Sequence, residues 1–476
     1  MLHVDVAIIG AGSAGMRAYR EASRVTDKIV LIEGGDYGTT CARVGCMPSK
    51  LLIAAAEAAH AGSHAEAFGI HYGGRRVDGE AVMKRVREER DRFVGFVVED
   101  VEEWPESHRI KGYARFKSDH VLRINSGKEV QAERVVIATG SRPRIPPAFA
   151  DLGERLIVSE DIFYWHTLPE SVAVFGAGVI GLELGQALHR LGVRTTLFGK
   201  ANKVGPLTDP EVITEAAALF SEEFPYYPRV DLTGAQVVDG AVQIDFMAHG
   251  QSHRDSFEYV LAATGRVPNI EDLGLEHTSV AVDHKGVPLY NHYSGQVGDS
   301  HIFIAGDATN QLLLLHEASD EGQAAGYNAA HFPEVRHFKK STPLTIVFSD
   351  PQIMMVGQSH GELQAQGVDF VVGEVHWRSQ GRSRVMLINR GLLRVYGEEG
   401  SGRFLGAEMI GPRAEHLAHL LAWAHQSHLT VSEMLERPFY HPVVEEGVRT
   451  ALRNLNHGLN MGPIPPARCL DCGPGA

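Results

Sequence analysis

Cysteine is scarce in this chain: four residues in 476, at positions 41, 46, 469 and 472. So low a count excludes a small disulfide-stapled scaffold. No charged n-region or apolar h-region precedes the strand-like segment 4–9, so a reducing, cytoplasmic setting is expected. Long apolar runs are also missing. No stretch offers roughly eighteen uninterrupted apolar residues, so no membrane-spanning helix is expected. Positive charge is in deficit: Lys and Arg number 45 against 59 Asp and Glu, a formal net charge of −14, which argues against nucleic acid as a partner. The remainder is ordinary globular material, 44% hydrophobic and 22% charged, with room for two or three domains. Glycine, in contrast, is plentiful at 51 residues and clusters in turns.

The scarce residue is placed tellingly. Cys41 and Cys46 stand in Gly38-Thr39-Thr40-Cys41-Ala42-Arg43-Val44-Gly45-Cys46-Met47-Pro48-Ser49-Lys50, and an apolar, alanine-rich run follows at 51–56. Those residues are good helix formers, and Pro48 suits a first helical turn. Cys46 is therefore predicted at a helix N-terminus, where aligned peptide dipoles favour a thiolate. A structural staple of so few residues removes little unfolded-chain entropy. A redox-active dithiol is the reading preferred.

Two glycine fingerprints identify what such a dithiol could exchange electrons with. Strand 4–9 runs into Gly10-Ala11-Gly12-Ser13-Ala14-Gly15, a helix from 16 to about 25, and a strand 28–33 ending in Glu33. Glycines for a tight turn, a helix N-terminus for pyrophosphate and an acid for ribose hydroxyls form a dinucleotide-binding unit. A second unit opens at 172–175 with Gly176-Ala177-Gly178-Val179-Ile180-Gly181-Leu182-Glu183. Its next strand, 194–198, ends at Gly199-Lys200 without an acid, which leaves NAD against NADP open. Such a distance between units fits two nested nucleotide-binding domains.

Elsewhere, 80–103 reads as a charged structural helix, and 112–116 with 121–124 as short antiparallel strands. Strand 134–137 enters the Ala138-Thr139-Gly140-Ser141 turn, and the Ala-Thr-Gly pattern returns at 263–265, before Arg266. Strand 301–304 ends in Ala305-Gly306-Asp307, whose carboxylate can meet ribitol hydroxyls. From about 342 the texture becomes that of an antiparallel sheet with helices, an α+β domain. His441, in Tyr440-His441-Pro442-Val443-Val444-Glu445-Glu446, precedes a helix and is a candidate proton acceptor.

In combination these motifs resemble the class I pyridine nucleotide–disulfide oxidoreductases, the branch holding dihydrolipoamide dehydrogenase, glutathione reductase and mercuric reductase, over residues 4 to about 456. The resemblance implies an α/β chain with two nested Rossmann-like domains. FAD would bind over 1–150 and 270–340, NAD(P) over 151–269, with a dimerisation domain at 341–460 and a flexible tail at 461–476. It implies FAD contacts at Gly10, Gly12, Gly15, Glu33, Ala114, Thr139, Gly140, Ser141 and Asp307, with Lys50 near the flavin and paired to Glu183. NAD(H) or NADP(H) would use Gly176, Gly178, Gly181, Glu183 and Gly265. Cys46 would be the thiol nearest the flavin, Cys41 the interchange thiol, and His441, oriented by Glu446, the acid–base supplied by the second subunit of a homodimer. No resident metal is implied.

The implied activity passes electrons between a dihydrolipoamide-like dithiol, free or on a lipoyl protein, and NAD(P), because the histidine that dithiol oxidation needs is retained. The alternative is an NADPH-dependent reductase of a disulfide or metal ion, using Cys469 and Cys472 as a shuttle. Four residues depart from the family pattern: Thr39 for glycine, Arg43 for asparagine, Gln352 for glutamate, and Gly199 for an acid. Arg43 is expected to put a cation beside the dithiol, lowering a thiol pKa or favouring an anionic substrate.

Overall fold

The computed structural model describes residues 1–71, 73, 74 and 76–462. Cys469 and Cys472 lie outside the described residues. The first sheet is built on Leu2–Ile9, whose inner residues are apolar and buried on both faces, as a central parallel strand requires. Ile29–Glu33 and Glu129–Ile137 flank it in parallel, Val6 standing opposite both Ile29 and Arg134. Arg109–Lys111 extends one edge. On the other side, Ala114–Ser118 and Val121–Ile124 form an antiparallel arm on the first half of Glu129–Ile137. Ile302–Ile304 returns from far along the chain to pair with its last half. Ile302–Ile304 therefore completes the first sheet.

The Ser13–Ala22 helix starts three residues earlier than its periodicity suggested, directly after Gly12. It lies very close to Leu315–His331. A Cβ at Gly322 or Gly326 would come within 2.3 Å of the carbonyl oxygens of Ala14 or Ala18, so only glycine permits this approach.

The second sheet is wholly parallel, in the order Tyr226–Tyr227, Arg194–Phe198, Ser171–Phe175, Tyr259–Ala262, Leu156–Val158. A three-stranded antiparallel meander spans 231–257. Between the two units lie the Cys46–His64 and Gly79–Glu102 helices. The latter is capped by Asp78, which accepts from Ala81 N at 3.0 Å, and buries Met83, Val86 and Val101.

The last part is a five-stranded antiparallel sheet, in the order Leu344–Val347, Gln352–Gly357, Phe404–Gly411, Leu392–Glu398, Phe370–His376. Helices Ala414–Gln426 and Glu446–Leu459 cover it around a core that includes Trp377 and Met409. It is tied to the second unit by buried charge. Glu408 accepts from Thr208 N, Thr208 Oγ1 and Asp209 N at 2.6–2.9 Å, and Asp209 receives Arg394 at 2.7 Å. Among the described residues, no helix is long and apolar enough to cross a membrane.

Candidate active site

Cys46 is the first residue of the Cys46–His64 helix, as its sequence predicts. Cys41 lies on a short helix, Thr40–Val44, that the sequence did not reveal. Thr39 caps it, its hydroxyl accepting from Ala42 N at 3.2 Å. Thr39 itself is at φ 58, ψ 152, a region that L side chains avoid and β-branched ones most of all. Such a backbone suits glycine better than threonine.

Both cysteines are free thiols. The Cys41 thiol donates to Cys46, and with the nearby Lys50 cation this lowers the Cys46 pKa to about 7, against a smaller upward push from desolvation. The same hydrogen bond, with burial and the facing Cys46 charge, pushes Cys41 well above the ordinary thiol range. The pair is thus polarised into one thiolate and one thiol. Arg43 has no direct part in this. Its guanidinium turns to Asp36, at 3.2 Å from Oδ2 and 3.3 Å from the carbonyl. The expected cation beside the dithiol is Lys50 instead.

Lys50 Nζ donates to Glu183 Oε2 at 2.7 Å. The other oxygen of this buried carboxylate accepts from Phe348 N at 3.0 Å, and the Phe348 ring lies 4.6 Å from the ammonium. Phe348 was not foreseen, since an apolar residue at a strand end carries no sequence signal of such a contact.

A cleft of about 1370 Å³ joins these groups to both fingerprints. Cys41, Cys46, Lys50, Glu183, Gly12, Gly140, Ser141, Gly176, Gly178, Gly265 and Asp307 all line it. Gly10, Gly15 and Gly181 stand behind the wall. A Cβ at Gly15 would lie 1.8 Å from Gly10 O, and one at Gly181 1.8 Å from Gly176 O. Gly12 and Gly178 differ: a Cβ there would meet nothing within 4 Å. Each caps a helix without any side-chain hydrogen bond, so the first helical N–H groups face open space. Two open cradles at helix N-termini, each in a cleft, fit two dinucleotides.

Glu33 and Asp307 hold carboxylates at the edges of the first cradle. Glu33 accepts from Ala11 N and Gly35 N, both at 2.7 Å. Asp307 Oδ2 accepts from Ser141 Oγ at 2.6 Å. Arg266 completes that chain, donating to Ser141 Oγ at 2.8 Å and Ser141 O at 2.7 Å. The second Ala-Thr-Gly turn is thereby bound to the first. The signal for this was the arginine following the repeated motif. Ala114, Thr139 and Glu33 do not line the cleft itself. Ala114 is buried at the start of the antiparallel arm, and neighbouring Tyr113 packs on Gly34, beside Glu33.

His441 Nδ1 lies 3.1 Å from both carboxylate oxygens of Glu446, which also accepts from Val443 N at 3.2 Å. His441 is exposed and Glu446 buried, and neither lines the cleft of its own chain.

Two nucleotide cradles converging on a polarised dithiol define a dinucleotide-dependent dithiol oxidoreductase. The family models agree. Pyridine nucleotide-disulphide oxidoreductase matches residues 4–322, and the dimerisation domain of the same family matches 344–452. The chain belongs to this family, in its class I branch like lipoamide dehydrogenase, and the cofactors are FAD and NAD(P)(H). It is 29% identical over 475 residues to a dihydrolipoyl dehydrogenase of Chlamydia muridarum, covering 96% of this chain and 98% of that protein. A mercuric reductase of Shigella flexneri is also 29% identical, over 96% of this chain and 82% of its own. Two solved structures share the fold. LpdA of Mycobacterium tuberculosis has a TM-score of 0.80 at 23% identity, covering 95% of this chain and all (100%) of that one. A Cu(II) complex of the HOCl-induced flavoprotein disulfide reductase RclA of Escherichia coli has 0.79 at 21%, covering 93% and 98%.

Proposed function

We propose that the protein oxidises or reduces a dithiol/disulfide substrate of dihydrolipoamide type at Cys41, exchanging electrons with NAD(P) as a homodimer. The observation that carries this reading is the His441–Glu446 pair, a complete acid–base unit held outside its own cleft. A second copy would bring it to the dithiol, as the family's dimerisation domain leads one to expect.

FAD would be held by the first cradle at Gly12, with Glu33 and the Ser141–Asp307 pair at its sugar hydroxyls, and NAD(P) by the second at Gly178. When bound, FAD supplies the hydride chemistry between dithiol and nicotinamide. The chain's own groups do the thiol chemistry. In the oxidised enzyme Cys41 and Cys46 form a disulfide. The lower-pKa sulfur leaves faster in thiol–disulfide exchange. Cys46 is therefore the leaving group, and a substrate thiolate attacks the Cys41 sulfur. Its second thiol then expels Cys41, whose raised pKa makes it keep a proton. His441 Nε2 accepts the proton released by the substrate, while Glu446 fixes the ring through Nδ1. The Lys50–Glu183 pair holds a cation close enough to stabilise the Cys46 thiolate.

A steady-state matrix tests the proposal: dihydrolipoamide with NAD⁺ or NADP⁺, lipoamide with NADH or NADPH. Turnover of a dithiol with one nucleotide is expected. Absence of any thiol turnover in FAD-loaded protein would overturn it. Equal similarity to a mercuric reductase favours a second reading, a metal-ion reductase, and a Hg(II)/NADPH arm of the matrix decides it.

A further inference from the structure

The His441 turn is fastened to a short hook of chain made of the Trp377–Ser379 turn and the Gly381–Val385 helix. Two contacts fasten it. Gln380, 0% exposed, uses both ends of its amide: Nε2 donates to Val443 O at 2.9 Å, and Oε1 accepts from Ser383 N at 2.7 Å. Trp377, also fully buried, lies against Gly447, where a Cβ would come within 2.3 Å of its ring. Loops fixed at two points by buried groups move as one body. Wherever His441 is presented, the hook is presented too.

The hook carries Arg378, Arg382 and Arg384. Arg378 and Arg384 are exposed and Arg382 is half-buried. Among the described residues none of the three is in an ion pair. The next two arginines differ: Arg390 pairs with Glu222 at 2.6 Å and Arg394 with Asp209 at 2.7 Å. Three guanidinium groups without an ion pair, within seven residues on the hook that is fastened to the His441 turn, make a local positive field. Such a field raises the concentration of anions, and the planar fork matches carboxylates.

We propose that Arg378, Arg382 and Arg384 form the specificity wall of the dithiol site and select small disulfides or dithiols that carry carboxylates. The wall rests on the reading above, in which His441 of one copy serves the dithiol of the other. It gives the anionic preference that the sequence pointed to at Arg43 a different location.

The test uses dimeric FAD-loaded enzyme, reduced to its dithiol form and mixed in single turnover with either a dicarboxylate aryl disulfide or an uncharged dipyridyl disulfide. Either reagent exchanges with the reduced Cys41–Cys46 dithiol whatever the physiological substrate is. For the Arg382→Gln/Arg384→Gln double variant, the dicarboxylate-to-uncharged rate ratio should fall at least about fivefold from wild type. The wild-type ratio should also fall with ionic strength more steeply than the variant's. Arg378→Gln alone should lower the ratio less. A double-variant ratio within about twofold of wild type, with flavin absorbance and melting temperature unchanged, overturns the wall. Should the double variant fail to fold, the salt dependence of the wild-type ratio decides, and a flat ratio overturns the wall. Complementation between mixed subunits, described below, tests the dimeric reading separately. Complementation with a flat ratio therefore removes the wall alone.

Discussion

Lys50 Nζ donates to Glu183 Oε2 at 2.7 Å, joining the dithiol helix to the second fingerprint helix across 133 positions of sequence. One ammonium thereby serves two tasks. It neutralises a buried carboxylate, and it stands close enough to Cys46 to help hold that sulfur as a thiolate.

Removing the cation separates those tasks. Below its pKa of about 7, Cys46 is protonated and unreactive; above it, the thiolate is present. Lys50→Gln should move that midpoint upward, towards the ordinary thiol range near about 8.5. Ultraviolet thiolate absorbance against pH, in reduced enzyme, reads the midpoint. Cys41→Ala should move it further, because the Cys41 hydrogen bond is the largest of the lowering influences. A midpoint that stays put in both variants would contradict the polarised pair.

Thr39 offers a stability prediction. Its backbone sits where glycine is at ease, and such strain costs on the order of 1–3 kcal/mol. Replacing a threonine cap by glycine costs only a few tenths. Thr39→Gly should therefore stabilise the protein by roughly 1–2 kcal/mol, seen as a higher urea midpoint with an unchanged slope. A lower midpoint would show that the cap outweighs the strain.

The glycines of the first fingerprint should fail in different ways. Gly15→Ala drives a Cβ into Gly10 O, so the apoprotein itself should lose stability, by more than about 2 kcal/mol. Gly12→Ala meets open space in the protein, so the apoprotein should melt within a few degrees of wild type. Its methyl would instead occupy the cradle, and FAD affinity should fall at least about tenfold. Flavin fluorescence titration of apoprotein, beside calorimetry, distinguishes the two.

His441 yields two measurements. His441→Gln should reduce dithiol turnover by about 10²–10⁴-fold, the usual contribution of a positioned acid–base. Mixing Cys41→Ser chains with His441→Gln chains under subunit exchange then tests which copy supplies the histidine. With the histidine from the partner, half of the dimers are mixed and each has one intact site. About a quarter of wild-type activity should return. If the histidine acted on its own chain's dithiol, each mixed dimer would hold no intact site, and activity would stay at the level of the separate variants.

Much of this was legible in the sequence because the chemistry imposes local patterns. A phosphate-binding turn needs its glycines and helix start in consecutive residues, and so do the dithiol and the His441–Glu446 turn. Partnerships across the chain were partly hidden. Glu183 was paired with Lys50 only through the family resemblance. Phe348, which fixes Glu183 through a backbone N–H, gave no sign, since any residue but proline can offer that bond. Gln380 was invisible for a related reason. A lone glutamine in a polar stretch reads as surface until folding removes it from water. Arg43 shows the converse error. Adjacency to Cys41 in sequence suggested adjacency in space, but the turn of a short helix directs the side chain to Asp36 instead.

The two cradles are near-duplicates. The first glycine of each, at φ 105 and φ 116, sits against a carbonyl of its own Ala-Thr-Gly turn: a Cβ would lie 2.3 Å from Ala138 O and 2.2 Å from Ala263 O. Twenty-three positions after those glycines (33 − 10 and 199 − 176) stand Glu33 and Gly199. Gly199 can accept no replacement, because a Cβ would come within 2.6 Å of Pro228 O. The same mould was thus cast twice and finished differently at one corner. Grafting a carboxylate onto Gly199 to impose a nucleotide preference would break the strand end before it could touch a ribose. Any re-engineering of cofactor choice has to work from Lys200 and Lys203, which line the cleft beyond it.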